Sequence, residues 1–396
     1  MTCKMNLVAS HPSFSFLDKE EDTLIKEFYS LKNEQFDYEP TEPLKRSNFS
    51  TALAPINKKR NRYANVLAND TSRVKLEKAR DGSDYINANH CLNGRVIISQ
   101  GPKDNSSVYE FHHEDFYDML WTNKSSAISM VTGFIEGYSI KCSHYLPKEG
   151  SDKIMGPYTI SISDEIALTE EETALKTLGI RITKLHIQKK DEGSRVVTHY
   201  HYPNWGDCKG ANAEVVAALA RRLLSETKPI IHCSAGFGRS GTLAAVMACY
   251  DRIIRGKYSE ALVADVVNEL RTERRGCVQT FEQYQTIYNT LKQLVQEDGK
   301  SSSILEKTAI TPSFQAIPVI VNFNISDKKL FIRGTAPGMS WKKGIELKKV
   351  DGKFVFESPS NLGKFEFKVL IDDKQWNLGP NYRTEDGKTL TITPKF

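Results

Sequence analysis

At 396 residues, with 39% apolar and 26% charged side chains, the chain carries enough apolar material for a globular core and is long for one ordinary domain. A net charge of +5, with no Lys/Arg block that resembles a DNA-reading arm, leaves nucleic acid unexpected as a partner and supports only a modest preference for anionic ligands. No apolar run approaches the roughly 20 residues of a membrane span, and the start "MTCKMNLVASHPSFSF" has no apolar stretch behind a basic head, so neither a spanning helix nor a secretory leader is expected.

From Phe14 to Gln296 the predicted elements alternate. "EDTLIKEFYSL" has helical spacing, with Leu24, Phe28 and Leu31 on one face. "SSAISMVTGF" and "GIRITKLHIQKK" read as strands rich in β-branched residues, "GANAEVVAALARRLLSE" as an amphipathic helix, and "PIIHC" as a short buried strand directly after it. This mixture predicts a central mixed sheet flanked by helices, an α/β domain over residues 14–296. "QEDGKSSSILEKTAITPSFQ" changes character and predicts a linker over 297–313. Beyond it, "IPVIVNFNI", "KLFIRGT", "IELKKV", "KFVFES", "KFEFKVLI" and "TLTITPKF" are short strands between Gly, Asp and Asn turns. They predict a small all-β, immunoglobulin-like sandwich over 314–396. The seven cysteines are scattered without CxxC pairing, which points to reduced thiols in a reducing, cytoplasmic compartment and to neither a disulfide framework nor a zinc site. Export by a route without a cleavable leader stays open.

The stretch "KPIIHCSAGFGRSGTLAAV" concentrates the chemistry. A Gly-rich turn between a strand and a helix N-terminus aims several backbone N–H groups at one point, where the helix dipole adds partial positive charge. Gly236 and Gly238 permit a close approach that a Cβ would block. Arg239 adds a planar fork matched to two oxygens of a tetrahedral anion. Cys233, at the head of this cradle, is placed to ionise; comparable surroundings lower thiol pKa values to about 3.5–7.5. A thiolate beneath a bound phosphoryl group is a nucleophile aimed at phosphorus, without need of a metal or cofactor.

"HCSAGFGRSG" resembles the signature of the cysteine-dependent protein tyrosine phosphatases. The resemblance implies roles along the first domain. Ser234, Ala235, Gly236, Phe237 and Gly238 would bind the phosphate, Ser240 would ease thiolate departure, and His232 would support the ionised thiol; a histidine merely packed behind the loop is the rival reading. "KKRNRYANV" looks like the phosphotyrosine-recognition loop, with Tyr63 as the aromatic wall, while "DGSDYINANHCLNG" and "ISQGP" match the family framework. In "GFIEGYSIKCSHYLP", Glu136 would orient Arg239 and Lys141 would approach the acid loop. In "RRGCVQTFEQYQ", Gln279 and Gln283 would place the hydrolytic water, sharing a face if that segment is helical. The general acid of the family sits in Trp-Pro-Asp; here Trp205-Gly206-Asp207 stands in that place. Asp207 is the expected acid, and glycine in place of proline raises the entropy cost of closing its loop. The implied partner is a tyrosine-phosphorylated protein.

In the tail, "SW..G..L", "FEFK" and "W...PN" resemble starch- and glycogen-binding modules. That implies an α-glucan site at Trp341, Lys368, Trp376 and Asn381. A protein-interaction or stability module is the rival for the sandwich. A glucan phosphatase and a weakly active phosphotyrosine-binding adaptor are the rivals for the whole chain.

Overall fold

A computed structural model describes residues 14–31, 48–104, 111–163, 166–307, 317–321, 328–335, 341–350, 353–358, 366–383 and 390–396. The chain divides into two compact units, Met1–Lys300 and Ser301–Phe396. The helices are α1 (Glu21–Ser30), α2 (Ser50–Leu53), α3 (His112–Thr122), α4 (Glu170–Thr177), α5 (Ala213–Leu224), α6 (Gly238–Ile254), α7 (Leu262–Glu273) and α8 (Phe281–Lys307). The strands of the first unit are β1 (Arg73–Arg80), β2 (Ser83–Cys91), β3 (Val96–Ser99), β4 (Ala127–Met130), β5 (Ile135–Glu136), β6 (Ser139–Ile140), β7 (Lys153–Met155), β8 (Tyr158–Ile162), β9 (Arg181–Lys189), β10 (Gly193–His201) and β11 (Ile230–His232).

Nine of these strands form one sheet in the order β1-β2-β3-β11-β4-β10-β9-β8-β7; β5 and β6 form a separate ribbon. The central four, β3, β11, β4 and β10, run parallel, and the flanks are antiparallel. Parallel strands are covered on both faces and therefore read as continuous apolar runs. "VIIS", "AISM" and "IIH" are such runs, and every residue in them is buried. Their side chains alternate between two cores. Ile97, Ile128 and Ile230 join Phe116 and Leu120 of α3, whereas Ile98, Ala127 and Ile231 join Leu219 of α5, Val246 of α6 and Leu270 of α7. The face of α1 expected from spacing, Leu24, Phe28 and Leu31, is buried. Asn212 caps α5, its side chain accepting from the Glu214 and Val215 N–H groups. This layering leaves β11 at the middle of the sheet, so whatever follows His232 emerges at the centre of the sheet's edge.

The helix α8 runs to Lys307, through the Ser301–Ser303 run that the sequence suggests is a linker. Leu291 and Leu294 anchor its middle in the core, and a helix already formed extends over Ser and Lys at small cost per residue. Residues 308–316, which hold the rest of that segment and the first positions of the expected sandwich, lie outside the described residues.

Beyond the end of α8 the described elements of the second unit are all strands: β12 (Ile317–Val321), β13 (Leu330–Gly334), β14 (Ile345–Glu346), β15 (Lys348–Val350), β16 (Lys353–Ser358), β17 (Glu366–Ile371), β18 (Gln375–Trp376), β19 (Tyr382–Arg383) and β20 (Leu390–Ile392). One sheet is β15-β16-β12-β20; the other is β14-β13-β17-β18, with β19 also on β17. Val321, Phe354 and Ile392 of the first meet Leu330, Ile332, Phe367 and Val369 of the second in one apolar core. The period-two pattern of β13 and β17 puts Leu330, Ile332, Phe367 and Val369 inward, leaving Arg333, Glu366 and Lys368 partly exposed.

Candidate active site

The loop from Cys233 to Phe237 joins β11 to α6 and curls around the Cys233 sulfur. Gly236 makes the curl possible. Its φ is +74°, and a Cβ there would lie 2.1 Å from the Ser99 carbonyl oxygen, so only glycine fits. In this conformation the Gly236 N–H donates to Cys233 Sγ at 3.2 Å. The loop is held from behind by Arg274, a fully buried side chain. Its guanidinium donates to the carbonyls of Gly236 and Ala235, and to the side-chain oxygens of Asn89 (2.7 Å) and Asn87 (3.0 Å). With the carbonyls turned back toward Arg274, the intervening N–H groups turn toward the sulfur.

Burial alone would push the Cys233 thiol up; the Arg239 charge, the Ser240 hydroxyl and N–H, and the Gly236 N–H together outweigh it and hold the thiol below its ordinary value. The other described cysteines go the opposite way. Burial raises Cys142 and Cys277 to about 12, Cys91 and Cys249 also rise by burial, and Cys208 rises by burial and the neighbouring Asp207 charge. Among the described thiols, Cys233 alone is held below its ordinary value.

Arg239 is 1% exposed. Its Nη1 donates to Glu136 and to the Trp205 carbonyl at 2.7 Å, and its Nη2 pairs with Asp207 at 3.2 Å. Nε is buried without a hydrogen-bond acceptor within the described residues, and Nη2 meets the Asp207 carboxylate only as an ion pair, without the geometry of a hydrogen bond; such a guanidinium edge is costly unless an anion is to be received there. Glu136 is fixed by Thr132 Oγ1 (2.9 Å) and the Gly133 N–H (3.3 Å). Asp207 also accepts from Lys141 Nζ at 2.7 Å. Burial raises this carboxyl, but Lys141 and Arg239 prevail and hold it below the usual carboxylate value. Trp205 is buried, with its indole N–H on the Lys209 carbonyl at 3.0 Å, and its own carbonyl and Asp207 meet Arg239, so the Trp205–Asp207 loop lies folded over the site.

His232 is fully buried, and burial drives it down to about 3, so it is neutral. Its Nδ1 lies 3.1 Å from the Cys233 carbonyl, which can only accept; Nδ1 therefore carries the proton. Nε2 must then accept from the Tyr145 hydroxyl at 2.8 Å, and that oxygen accepts from His199 Nε2 at 2.8 Å. His232 thus acts on the loop through a directed hydrogen bond and packing, not through a positive charge. Tyr63 donates to Ser234 Oγ at 2.9 Å, and Ser234 donates on to the Lys141 carbonyl at 2.8 Å, which pins the aromatic wall to the loop.

Gln279 precedes α8 rather than lying on it, so the two glutamines do not share a helix face. They meet instead because Gln283 Oε1 accepts the Gln279 N–H at 2.8 Å. Both side chains press on Gly238, where a Cβ would lie 3.1 Å from their amide atoms. The resulting pocket is lined by Tyr63, Lys141, Asp207, Cys233, Ser234, Ala235, Phe237, Gly238, Arg239 and Gln279. It also takes in Asn65, Val66 and Cys208, which the sequence does not single out. Arg274, Tyr145, His199 and Arg62 are further omissions. Arg62 donates to the carbonyls of Gly101 (3.0 Å), Pro102 and Ile140 (3.4 Å), tying the Tyr63 loop to its neighbours. The basic, arginine-repeating "KKRNRY" and "RRGC" were the available signals, but which arginine turns inward depends on contacts distant in sequence. Among the described residues no group of three or more His, Cys, Asp and Glu side chains could hold a metal ion, and no helix is long and apolar enough to cross a membrane.

In the second unit the indoles of Trp341 and Trp376 stack at 6.2 Å with 29° between planes, each 38% exposed. Arg333 clamps them, donating to the Trp341 carbonyl (3.1 Å) and to Asp373 (2.8 Å) while its guanidinium lies 5.2 Å from the Trp376 ring. Lys368 donates to the Asn377 carbonyl at 3.3 Å, and Asn381 to Glu366 at 3.1 Å.

The protein-tyrosine phosphatase family model matches residues 57–293, more than half of the chain and all of the pocket just described. The chain is 32% identical over 292 residues to human tyrosine-protein phosphatase non-receptor type 12, covering 70% of this chain and 35% of that protein. It is 29% identical over 326 residues to tyrosine-protein phosphatase 3 of Dictyostelium discoideum, covering 72% and 31%, and 28% identical over 310 residues to human tyrosine-protein phosphatase non-receptor type 2, covering 74% and 68%. The chain therefore spans about a third of the first two relatives. With Cys233, Arg239, Asp207 and the Gln279–Gln283 pair all inside the matched span, the chain belongs to the protein-tyrosine phosphatase family.

Proposed function

We propose that the chain hydrolyses phosphotyrosine in proteins through a cysteinyl-phosphate intermediate. The Cys233 thiolate attacks phosphorus and the P–O bond to the tyrosine breaks, while Arg239 and the loop N–H groups take the charge on the equatorial oxygens. Asp207 gives its proton to the departing tyrosine oxygen. Water held by Gln279 then attacks the phosphocysteine, with Asp207 as base and the Ser240 hydroxyl easing release of the thiolate. The observation that carries this reading is the depressed thiol of Cys233 at the floor of a pocket walled by Tyr63. Such a wall suits a flat aryl ring and admits a phosphorylated glucan chain poorly. The names of the relatives agree with it. The test compares phosphate release from a phosphotyrosine peptide and from phosphorylated amylopectin: peptide turnover lost in Cys233→Ser and Asp207→Ala supports the reading. Turnover of amylopectin alone would make the chain a glucan phosphatase, and binding of the peptide without turnover would make it an adaptor.

The paired, half-exposed indoles favour a second element, targeting of the enzyme to an α-glucan. Indole planes stack on the apolar faces of sugar rings, while Lys368 and Asn381 are donors suited to their hydroxyls.

A further inference from the structure

The ribbon β5–β6 has two faces with different duties. Ile135 stands opposite Ile140 and Glu136 opposite Ser139 in its antiparallel register, which continues where the Lys141 N–H donates to the Phe134 carbonyl at 2.8 Å. Directly opposed residues share a face, so Glu136 and Lys141 lie on one side and the isoleucine pair on the other. The first side is committed to the pocket, through Glu136 on Arg239 and Lys141 on Asp207. The second has no such duty: Ile135 is 63% exposed, Ile140 57%, and Tyr138 at the turn is fully exposed. A ribbon this short does not stand on its own pairing. What holds it is Glu136, Lys141 and the bond from Arg62 to the Ile140 carbonyl, so its folding does not require three apolar side chains in water. Apolar groups gathered beside a pocket mark an interaction surface.

We propose that this ribbon is the docking surface for residues flanking the phosphotyrosine, and that it selects substrates with an apolar side chain of the leucine, isoleucine, methionine or phenylalanine kind beside that tyrosine. The inference rests on the phosphotyrosine reading above. Its occupant follows from continuity with the pocket. The pocket admits the phosphoryl group and ring, and the main chain of the substrate stays at the mouth. Arg62 joins the Tyr63 loop to the ribbon, so wall and ribbon make one rim. For a polypeptide leaving the mouth on the Lys141 side, the ribbon offers the next apolar surface, with Tyr138 at its turn and the isoleucine pair on its outer face. Contacts made equally in ground and transition states lower KM and leave kcat alone, which is the effect expected of this surface.

The experiment uses the full chain, a phosphotyrosine peptide with leucine on both sides of the tyrosine, and the same peptide with asparagine there. p-Nitrophenyl phosphate, too short to reach the ribbon, serves as the reference substrate for each protein. The variants are the double substitution Ile135→Thr with Ile140→Thr, which keeps β-branching and hence strand preference, and separately Tyr138→Ser. The wild type is expected to prefer the leucine peptide by about tenfold in kcat/KM, through KM, and the double variant to lose most of that preference when each rate is divided by its own reference rate. An equal rate on both peptides in the wild type, or a preference that survives both variants, overturns the proposal. So does a wild-type dimer in sedimentation velocity that the variants convert to monomer while the preference stays, because the surface then serves a second copy. Turnover of p-nitrophenyl phosphate with neither peptide accepted would overturn the phosphotyrosine reading itself.

Discussion

Gly236→Ala is the sharpest single perturbation of the phosphate loop. The new Cβ would stand 2.1 Å from the Ser99 carbonyl oxygen, 2.4 Å from its carbon and 2.6 Å from the Gln100 nitrogen, all main-chain atoms at the end of β3. Ordinary contact begins near 3.4 Å, so the loop must retreat by about 1.3 Å or the end of β3 must give way. A non-glycine residue at φ +74° costs a further ~1–2 kcal/mol. Retreat by that distance removes the 3.2 Å bond from the Gly236 N–H to the sulfur and misaims its neighbours. Loss of one such donor costs about 10²–10³ in rate, and a misplacement near 1 Å about 10². kcat/KM on p-nitrophenyl phosphate is therefore expected to fall at least about 100-fold, with a urea midpoint lowered but a cooperative transition retained. A folded variant within about threefold of the wild type would refute the argument that this one backbone conformation forms the cradle.

Lys141→Met removes the principal partner that holds Asp207 below the usual carboxylate value. Because the protonated acid is the competent form, the alkaline limb of the pH profile of kcat/KM should move to higher pH; a limb that stays or moves down contradicts the assignment. Gly206 has no positive φ and only the Lys209 side chain within 4 Å of a new Cβ, at 3.6 Å, so Gly206→Ala should favour the closed loop by about 0.4–1 kcal/mol and raise kcat about two- to fivefold. A lower kcat would show that the loop needs glycine to move. Arg274→Met strips the loop carbonyls and two buried asparagines of their donor, and should lower stability by about 3–5 kcal/mol in urea unfolding; a loss under 1 kcal/mol would mean the loop does not lean on it. Trp376→Ala breaks the indole pair and should lower the amount of chain that pellets with glycogen by about tenfold. Pelleting equal to the wild type would count against a sugar site.

The parts of the site that were legible in the sequence are those whose chemistry is local. Cys233, the loop glycines and Arg239 sit within a few residues of each other, between an apolar strand and a helix, so their geometry follows from one strand–turn–helix unit. Long-range partners were not legible. Arg274 reaches Asn87 and Asn89 across most of the domain, and nothing in "ERRGC" marks it as buried rather than solvated. Gln279 and Gln283 suggested a shared helix face by their spacing, yet the chain reaches helical geometry only at Phe281, and a main-chain to side-chain bond brings them together instead. The Gly-Lys-Ser run after Asp298 has loop composition but inherits a helix whose earlier turns are paid for by core packing. The two tryptophans were visible as a motif; that Arg333 holds them together was not, because its side chain is placed by a strand pairing distant in sequence.

The central claim is that one thiol of this chain is an anion at the base of a phosphate cradle. Alkylation by iodoacetate across pH, read cysteine by cysteine in the folded chain by mass spectrometry, tests it without any substrate. Cys233 should label rapidly in mildly acid solution, where the other described thiols stay unreactive, and vanadate should protect it. Labelling of Cys233 that begins only near the ordinary thiol value of about 8.5, or that vanadate does not slow, would contradict it.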